Sequence, residues 1–210
     1  MRWEIAQWFE KRWWKNYLKN KPVDDYLTWK TNYWNTFLKT LNVTVKPNDC
    51  ILDAGCGPAG IFSALSENKV TAVDPLLSIY ESDLPHFNRS NYPNVDFHEN
   101  GIEKLEFDEE FEIVFCLNVI NHVEDLDEAL TRLQKAVKPQ GTFVLSIDSH
   151  NFWFPKWLFR TLPLDILHPH QFDLTEYQNM VLKRGFGLKN SVLIKEGFLF
   201  NYYALVFEKA

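Results

Sequence analysis

A run of small and acidic residues between Asp53 and Gly60 is the part of this chain best suited to chemistry. The run is Asp-Ala-Gly-Cys-Gly-Pro-Ala-Gly, it follows the apolar stretch Cys50-Ile51-Leu52, and a second acid, Asp74, comes nineteen residues after Gly55. A buried strand that leads into a G-x-G-x-x-G loop brings the backbone close to a ligand where side chains would collide. An acid at the end of the next strand can accept hydrogen bonds from two ribose hydroxyls. The pattern therefore predicts a binding loop for a nucleotide-containing cofactor.

Two large cofactor classes use such a loop, and two of its residues distinguish them. A dinucleotide places its pyrophosphate on the N-terminus of the following helix, where the Asp53 carboxylate would repel it. S-adenosylmethionine has no phosphate and carries an ammonium and a sulfonium, so a carboxylate near its amino-acid end suits it. Pro58, in the first turn of the helix expected here, lacks an N–H that could bind phosphate. The residues favour S-adenosylmethionine, with S-adenosylhomocysteine as its product.

At these residues the chain resembles a known family, the class I S-adenosylmethionine-dependent methyltransferases, whose first motif is acid-x-Gly-x-Gly and whose second-strand acid holds the ribose. Residues 100–105 (Asn-Gly-Ile-Glu-Lys-Leu) and 111–118 (Phe-Glu-Ile-Val-Phe-Cys-Leu-Asn) look like the family's adenine-contacting loop and fourth strand. Residues 119–125 (Val-Ile-Asn-His-Val-Glu-Asp) resemble the segment after that strand in the small-molecule group that includes the quinone-biosynthesis methyltransferases. The resemblance is good over residues 48–148 and is one of layout beyond them.

The loop and the resemblance together predict the cofactor-binding residues. Asp74 would hold the ribose diol, and the alternative for this residue is a helix N-cap before Pro75. The resemblance places Gly101 and Ile102 against the adenine, although many family members have an acid where Gly101 stands. It places Asn118 near the methionine carboxylate or the methyl group. The full set of predicted cofactor-binding residues is Asp53, Gly55, Cys56, Gly57, Gly60, Asp74, Pro75, Gly101, Ile102, Asn118 and Val119.

Composition and charge limit the class of protein. The 210 residues are 46% hydrophobic and carry a net charge of −6. These values are typical of one α/β domain and argue against a general nucleic-acid binder. The three cysteines, Cys50, Cys56 and Cys116, have no metal-ligand spacing and predict reduced, buried thiols of a cytoplasmic protein. There is no signal peptide and no apolar span of about twenty residues, so we expect a protein that does not cross a membrane.

Periodicity and turn residues predict alternating helices and strands. Apolar residues at helical spacing indicate two N-terminal helices, over 3–19 and 24–41. We expect strands at 49–53, 70–74, 95–98, 112–117 and 141–147, helices near 59–67, 76–83, 125–137 and 173–184, and a closing hairpin over 189–195 and 198–207.

These elements indicate the fold class and its parts. By resemblance, the expected fold is an α/β Rossmann-like sheet of seven strands, mostly parallel, with an antiparallel C-terminal strand, helices on both faces and two N-terminal helices as a cap. The expected parts of this single domain are a helical cap (1–44), a cofactor-binding core (45–148), an aromatic acceptor-side insertion (149–172), and a C-terminal helix with a β-hairpin (173–210).

The first 34 residues are unusually aromatic and basic. They contain six of the eight tryptophans, and the first 22 residues carry a charge of +4, which leaves −10 for the remainder. Three interpretations stay open: packing on the core, a lid over the active site, or adsorption to an anionic membrane surface. As acceptor contacts from this segment we predict Trp14, Tyr17, Tyr26, Trp29 and Tyr33.

A second aromatic run, at 151–160, follows the fifth strand at the edge of the sheet where ligands bind in open α/β folds. It would either pack against the N-terminal helices or line the acceptor pocket, with Phe152 and Trp153 as predicted contacts. Its rings would also suit a sulfonium, through cation–π attraction.

Histidines after the strands are the candidate proton acceptors. His122 is the first choice for acceptor contact, because the resemblance places its segment near the methyl group. His168 and His170 are further catalytic candidates, although ordering a loop is the strong alternative for them, and His150 is a predicted acceptor contact. Asp148, His150, His168 and His170 have poor spacing for a metal, so we predict none.

The expected activity is methyl transfer from S-adenosylmethionine to oxygen or nitrogen of a small-molecule acceptor, by in-line displacement under an aromatic lid. A non-catalytic cofactor-binding protein is the alternative, and a nicotinamide-dependent reductase is a third. We expect no nucleic-acid partner, a monomer or homodimer, and membrane contact only through the N-terminal helix.

Overall fold

The computed structural model describes residues 2–150, 172–198 and 200–210, with side chains from residue 9 onwards except at residue 150. The helices are α1 (Arg2–Leu18), α2 (Val23–Leu41), α3 (Leu77–Asp83), α4 (Leu126–Ala136) and α5 (Leu174–Leu182). The strands are β1 (Cys50–Ala54), β2 (Lys69–Val73), β3 (Val95–His98), β4 (Phe111–Leu117), β5 (Val137–His150), β6 (Phe186–Lys195) and β7 (Phe200–Lys209).

The strands form a single seven-stranded sheet in the order β3-β2-β1-β4-β5-β7-β6. The first five strands along the chain pair in parallel, and β7 is antiparallel to both of its neighbours. This confirms the expected fold class and the closing hairpin. Because β1, β2, β4 and β5 run in the same direction, the residues that follow them meet at one edge of the sheet.

Alternate strand residues build two cores, one on each face of the sheet. Ile51 of β1 faces the core that contains α1, α2 and α3, whereas Leu52 faces the core that contains α4 and α5. Because both faces are covered at the centre of the sheet, β4 (Phe-Glu-Ile-Val-Phe-Cys-Leu) is almost continuously apolar, whereas the edge strand β3 (Val-Asp-Phe-His) alternates apolar and polar residues. The structure therefore has helices on both faces, as expected.

The N-terminal helices pack on the sheet, as the first of the three interpretations expected. Leu18 of α1 and Trp34, Phe37 and Leu41 of α2 are buried in the first core. The αL residue Asn42 ends α2, and its backbone N–H donates to carbonyls of the last turn. Packing on the core explains the apolar residues on one side of each helix only, because Phe9, Trp13 and Trp29 are exposed. None of the described helices is long and apolar enough to span a membrane.

The prediction of a helix near 59–67 is wrong. Two single-turn 3-10 helices stand there, Gly57–Ala59 and Ile61–Ala64. Gly60 separates them, because its backbone is extended, with φ −69° and ψ −175°. Pro58 does lie in a first helical turn, but that turn does not continue into an α-helix.

Candidate functional site

The glycine loop connects the ends of three strands. Gly55 has φ +74°, and the N–H groups of Gly55 and Cys56 both donate to the carbonyl of Val73, at 2.7 and 3.0 Å. A side chain at Gly55 would collide with Val119, the second residue after β4. Glycine is therefore needed here both for its positive φ and for this close approach.

Asp74, directly after β2, binds the same loop. Its side chain is only 5% exposed, Oδ2 accepts a hydrogen bond from Gly57 N–H at 2.9 Å, and Oδ1 accepts one from Leu76 N–H at 2.9 Å. The N-cap of α3 is Leu76, so Asp74 does not cap that helix. Burial, and then the charge of Glu10, raise the pKa of Asp74 to about 7. A carboxylate has about four lone-pair sites, so each oxygen can still accept from a ligand hydroxyl.

Asp53, inside β1, is 2% exposed and lies under the other end of the loop. Its Oδ2 accepts from Phe62 N–H at 3.1 Å, and a side chain at Gly60 would collide with this carboxylate. Burial raises the pKa of Asp53 to about 7, against the opposing effects of the Phe62 hydrogen bond and the Lys30 charge. Gly60 therefore packs against Asp53 itself.

Lys30 and Trp34 of α2 are site residues that the sequence interpretation missed. Trp34 Nε1 donates to the carbonyl of Ala59 at 3.0 Å, which attaches α2 to the loop. Lys30 Nζ lies 4.5 Å from the centroid of the Trp34 ring, and burial lowers the pKa of this ammonium to about 8 while Asp53 opposes the shift. The sequence did contain a signal that could have identified Lys30. It is the only charged residue between Trp29 and Trp34, on a helix whose aromatic residues Trp29, Tyr33 and Trp34 are at helical spacing.

Glu10 of α1 was also missed, because an acid on a basic helix predicts only a solvated face. Tyr80 Oη of α3 donates to Glu10 Oε1 at 3.3 Å, and Tyr80 itself is fully buried. One turn further along α1, the Trp14 ring lies 3.6 Å from the position that a Gly57 Cβ would occupy. Burial raises the pKa of Glu10. The helix thus brings a carboxylate and a ring to the Asp74 end of the loop.

The predicted adenine and methyl regions lie beside the loop. Ile102 is buried, and Glu103 Oε1 accepts from Glu124 N–H at 2.7 Å, which joins this turn to the segment after β4. In that segment Asn118 is exposed, has φ +59° and donates its N–H to Ser146 O at 3.1 Å. His122 is half-buried, four residues further on.

Two further residues of the predicted cofactor set border the loop. Pro75, directly after Asp74, is half-buried. Cys56 is buried, and burial together with both aspartates raises the pKa of its thiol, so this cysteine stays neutral.

The five aromatic residues predicted to contact the acceptor are spread along α1 and α2. Trp14 lies at the loop, whereas Tyr17 and Tyr26 contact each other edge to face at 6.2 Å. Tyr26 is buried against the ring of His86, at 5.4 Å, so it serves packing. Trp29 is 50% exposed and stacks on Tyr33 at 5.8 Å.

Tyr33 leads to a polar group near the end of β5 that the sequence interpretation missed. Its hydroxyl hydrogen-bonds with Tyr202 of β7, and Tyr202 Oη lies 2.7 Å from Ser146 Oγ. Burial raises the pKa of both tyrosines, which are therefore neutral donors and acceptors.

Some predicted residues lie outside the described residues: His168, His170, Phe152 and Trp153, together with the side chain of His150. Within the ranges that the structure describes, no three His, Cys, Asp or Glu side chains are grouped as a metal site would require. The three cysteines are free, and Cys56 and Cys116 are buried.

The arrangement fits a cationic ligand with hydroxyl donors. The N–H groups of Gly55, Cys56 and Gly57 already donate to Val73 and Asp74, and no α-helix begins directly after the loop. A pyrophosphate would therefore lack these three donors and a helix dipole. Two buried carboxylates would repel it as well. The sheet with its antiparallel β7, and the acids that close β1 and β2 around the loop, define a class I S-adenosylmethionine-dependent methyltransferase.

Comparison with known proteins agrees with this class. A sequence model of the family described as "Methyltransferase domain" matches residues 26–189, and the chain belongs to this family. A curated relative, the ubiquinone biosynthesis O-methyltransferase of Rickettsia bellii (strain OSU 85-389), is 38% identical over 98 residues, which are 46% of this chain and 40% of the relative. The match thus spans about two fifths of the length of the curated relatives.

Two solved structures show the same fold with different acceptors. One is the 1,6-didemethyltoxoflavin-N1-methyltransferase of Burkholderia thailandensis with bound S-adenosylhomocysteine, with TM-score 0.65, 14% identity, and coverage of 98% of this chain and 87% of that one. The other is the geranyl diphosphate C-methyltransferase of Streptomyces coelicolor A3(2), with TM-score 0.65, 14% identity, and coverage of 86% and 79%. At such identities the likeness concerns the fold alone.

Proposed function

We propose that this protein transfers a methyl group from S-adenosylmethionine to oxygen or nitrogen of a small-molecule acceptor. The observation that carries the proposal is the pair of buried carboxylates, Asp53 and Asp74, on either side of a glycine loop whose first three N–H groups are already used within the protein. Asp74 would accept from the ribose hydroxyls, and Asp53 would act, directly or through water, on the amino-acid end of the cofactor. Gly101, Ile102, Asn118 and Val119 would border the remainder of the ligand.

When bound, S-adenosylmethionine supplies a methyl carbon that is already activated by a sulfonium. The protein therefore has to align the acceptor within about 3–3.5 Å of that carbon and exclude water. Tyr33 hydrogen-bonds with Tyr202, which in turn hydrogen-bonds with Ser146 of β5. We infer that Tyr33 would hold a polar group of the acceptor. His122 is our candidate for the proton acceptor, and His168 and His170 stay predictions for the same role.

Oxygen is the first acceptor atom to test. The curated relatives are named ubiquinone biosynthesis O-methyltransferases, and their similarity to this chain extends over 98 residues. Hydroxylated quinone-type compounds therefore head the acceptor panel, followed by phenolic, acidic and amine metabolites.

The proposal also covers localisation, oligomeric state and partners. We infer a cytoplasmic protein, monomeric or homodimeric, without a nucleic-acid partner. Phe9 and Trp13 are exposed on the same side of α1, where they would contact a membrane surface that offers a lipid-soluble acceptor. Size-exclusion chromatography and sedimentation with anionic vesicles test these two points.

The decisive experiment measures S-adenosylhomocysteine release from S-adenosylmethionine across this panel, with the whole chain. Truncation of α1 and α2 would expose the core, because Leu18, Trp34, Phe37 and Leu41 are buried against the sheet. Cofactor binding without turnover on any acceptor would favour a non-catalytic binding protein. Thermal stabilisation by NADH but not by S-adenosylhomocysteine would favour the reductase.

For an active acceptor, His122→Gln tests the proton acceptor. We expect kcat to fall about 10²-fold or more while cofactor affinity is unchanged, because a positioned general base contributes typically 10²–10⁴-fold. His98→Gln is the matched control, since His98 is on the surface and bonds Asp96. An unchanged kcat in His122→Gln would remove this residue from the mechanism.

A further inference from the structure

Helix α1 places a third carboxylate, Glu10, at the Asp74 end of the glycine loop. The Glu10 side chain accepts from the Tyr80 hydroxyl at 3.3 Å, and the neighbouring Trp14 ring lies edge to face with Tyr80, at 6.3 Å between centroids. Trp14 also covers Gly57, whose N–H donates to Asp74. Glu10, Tyr80 and Asp74 are therefore parts of one contact region.

Nearby cations are already paired with other acids. Lys11 and Lys15 of α1 both bind Asp83, at 2.8 and 3.0 Å. Arg89 binds Glu81 at 3.2 Å and Glu99 at 3.4 Å.

Glu10 and Asp74 have no such ion pair among the described residues, and the groups that donate hydrogen bonds to them are neutral N–H and O–H groups. Burial raises the pKa of both carboxylates, and each carboxylate also disfavours ionisation of the other. A positively charged ligand would favour their ionised forms.

We propose that Glu10 makes the site prefer the sulfonium cofactor S-adenosylmethionine to its neutral-sulfur product S-adenosylhomocysteine. The proposal rests on the proposed function of the same site. The two ligands share the adenosine and the amino-acid end, so interactions with those parts cancel when the two affinities are compared. The charge on sulfur and its methyl group are what differ, and in a partly buried site the attraction between unit charges acts over several ångströms.

The test compares the dissociation constants of both ligands by isothermal titration calorimetry. In Glu10→Gln, which keeps the shape and loses the charge, the preference for S-adenosylmethionine should fall about fivefold, because the variant removes one carboxylate whose charge attracts the sulfonium. Glu67→Gln is the matched control: Glu67 is exposed and precedes β2, at the opposite edge of the sheet from the loop. That control should leave the preference unchanged.

A conservative variant separates charge from structure. Glu10→Asp keeps the carboxylate on α1 and should keep most of the preference, and melting curves report whether each variant is folded. An unchanged ratio of the two dissociation constants in folded Glu10→Gln would overturn the inference while leaving the proposed function intact. A wild-type protein that binds neither ligand would instead contradict the proposed function.

Discussion

Asp53 lies near the end of β1, and Asp74 directly follows the neighbouring strand β2. Both are buried and burial raises the pKa of each to about 7, yet the charged residues that face them have opposite sign. At the Asp53 end, α2 supplies the ammonium of Lys30, and Phe62 N–H donates to the carboxylate. At the Asp74 end, α1 supplies the carboxylate of Glu10 instead. The two halves of one loop are therefore electrostatically different.

The difference indicates what the N-terminal helices do. A cap that only covered the core would need apolar side chains, and α1 and α2 do supply them. The same two helices also set the charge of each half of the site, through one residue each, Glu10 and Lys30. The helices therefore both pack on the core and border the candidate site, and the following predictions test the contrast between the two ends.

The largest effect is expected at Asp74. Asp74→Ala should weaken S-adenosylhomocysteine binding at least about tenfold, because hydrogen bonds to a charged group are worth about 1.5–3 kcal/mol each and two ribose hydroxyls lose their acceptor. Calorimetric titration measures the change, and melting curves are needed as well, since Asp74 also holds Gly57. Asp108→Ala, in an exposed loop, is the control. Unchanged affinity would mean that the ribose is bound elsewhere.

At the other end, Trp34→Phe removes the hydrogen bond that attaches α2 to Ala59. The carbonyl left unsatisfied in a buried position should lower the free energy of unfolding by about 1–3 kcal/mol. Trp29→Phe makes the same change at a ring that is 50% exposed and should have little effect. Chemical denaturation compares the two variants, and equal stabilities would show that the Trp34 bond does not hold α2 on the loop.

The pH dependence of stability follows from the raised pKa values. The usual pKa of Asp is 3.8, so between pH 4 and 7 the folded state binds more protons than the unfolded state at Asp53 and Asp74. Stability contributed by these groups is therefore greatest at low pH and falls as pH rises through this window. Asp74→Asn should flatten the decrease in Tm between pH 5.5 and 7.5. A slope equal to that of the wild type would mean that the pKa of Asp74 is not raised.

The pH dependence of binding has the opposite sign. A cation favours ionised carboxylates, so S-adenosylmethionine affinity should rise from pH 6 to 8, by at most about tenfold per pH unit for each proton released. Lys30 faces Asp53 and Glu10 faces Asp74, so Asp74→Asn should remove more of this dependence than Asp53→Asn does. If both variants lost the same amount of pH dependence, the two ends of the loop would be electrostatically equivalent.

The smallest effect is expected at Lys30. Lys30→Gln removes the cation from the Asp53 end and makes both ends negative, so the preference for S-adenosylmethionine over S-adenosylhomocysteine should rise about two- to threefold. This change is opposite in sign to the one expected for Glu10→Gln. Lys39→Gln, at an exposed position of the same helix, is the control. A preference that falls in Lys30→Gln would contradict the electrostatic contrast.

Local pattern predicted most of the fold, and it failed where packing overrides it. The two N-terminal helices, the strands and the closing hairpin follow from periodicity and turn residues, and the structure confirms them. The segment 59–67 has apolar residues suited to a helix, but its shape depends on Asp53 beneath Gly60 and on Trp34 above Ala59. Those contacts come from residues outside the segment, and no local rule contains them.

The candidate site divides in the same way. The loop and its two aspartates were identifiable because glycine spacing, a buried strand and the next strand's acid are all local signals. Glu10, Lys30, Tyr80 and Tyr202 were not, since each is an ordinary residue of its own element and becomes part of the site only when helix and sheet meet. The roles of the predicted site residues, His122 among them, stay predictions until the variants are measured.

The amino-acid sequence by itself determined the class of cofactor loop, the parallel core and the aromatic character of the first two helices, because these depend on residues close together in the chain. Only the tertiary structure decided which charge faces each aspartate. That decision depends on how α1 and α2 pack across the sheet, which brings Glu10 to Asp74 and Lys30 to Asp53 over long separations in sequence. In a buried site of low dielectric, residues that are distant in sequence but close in space determine the electrostatic environment of the ligand.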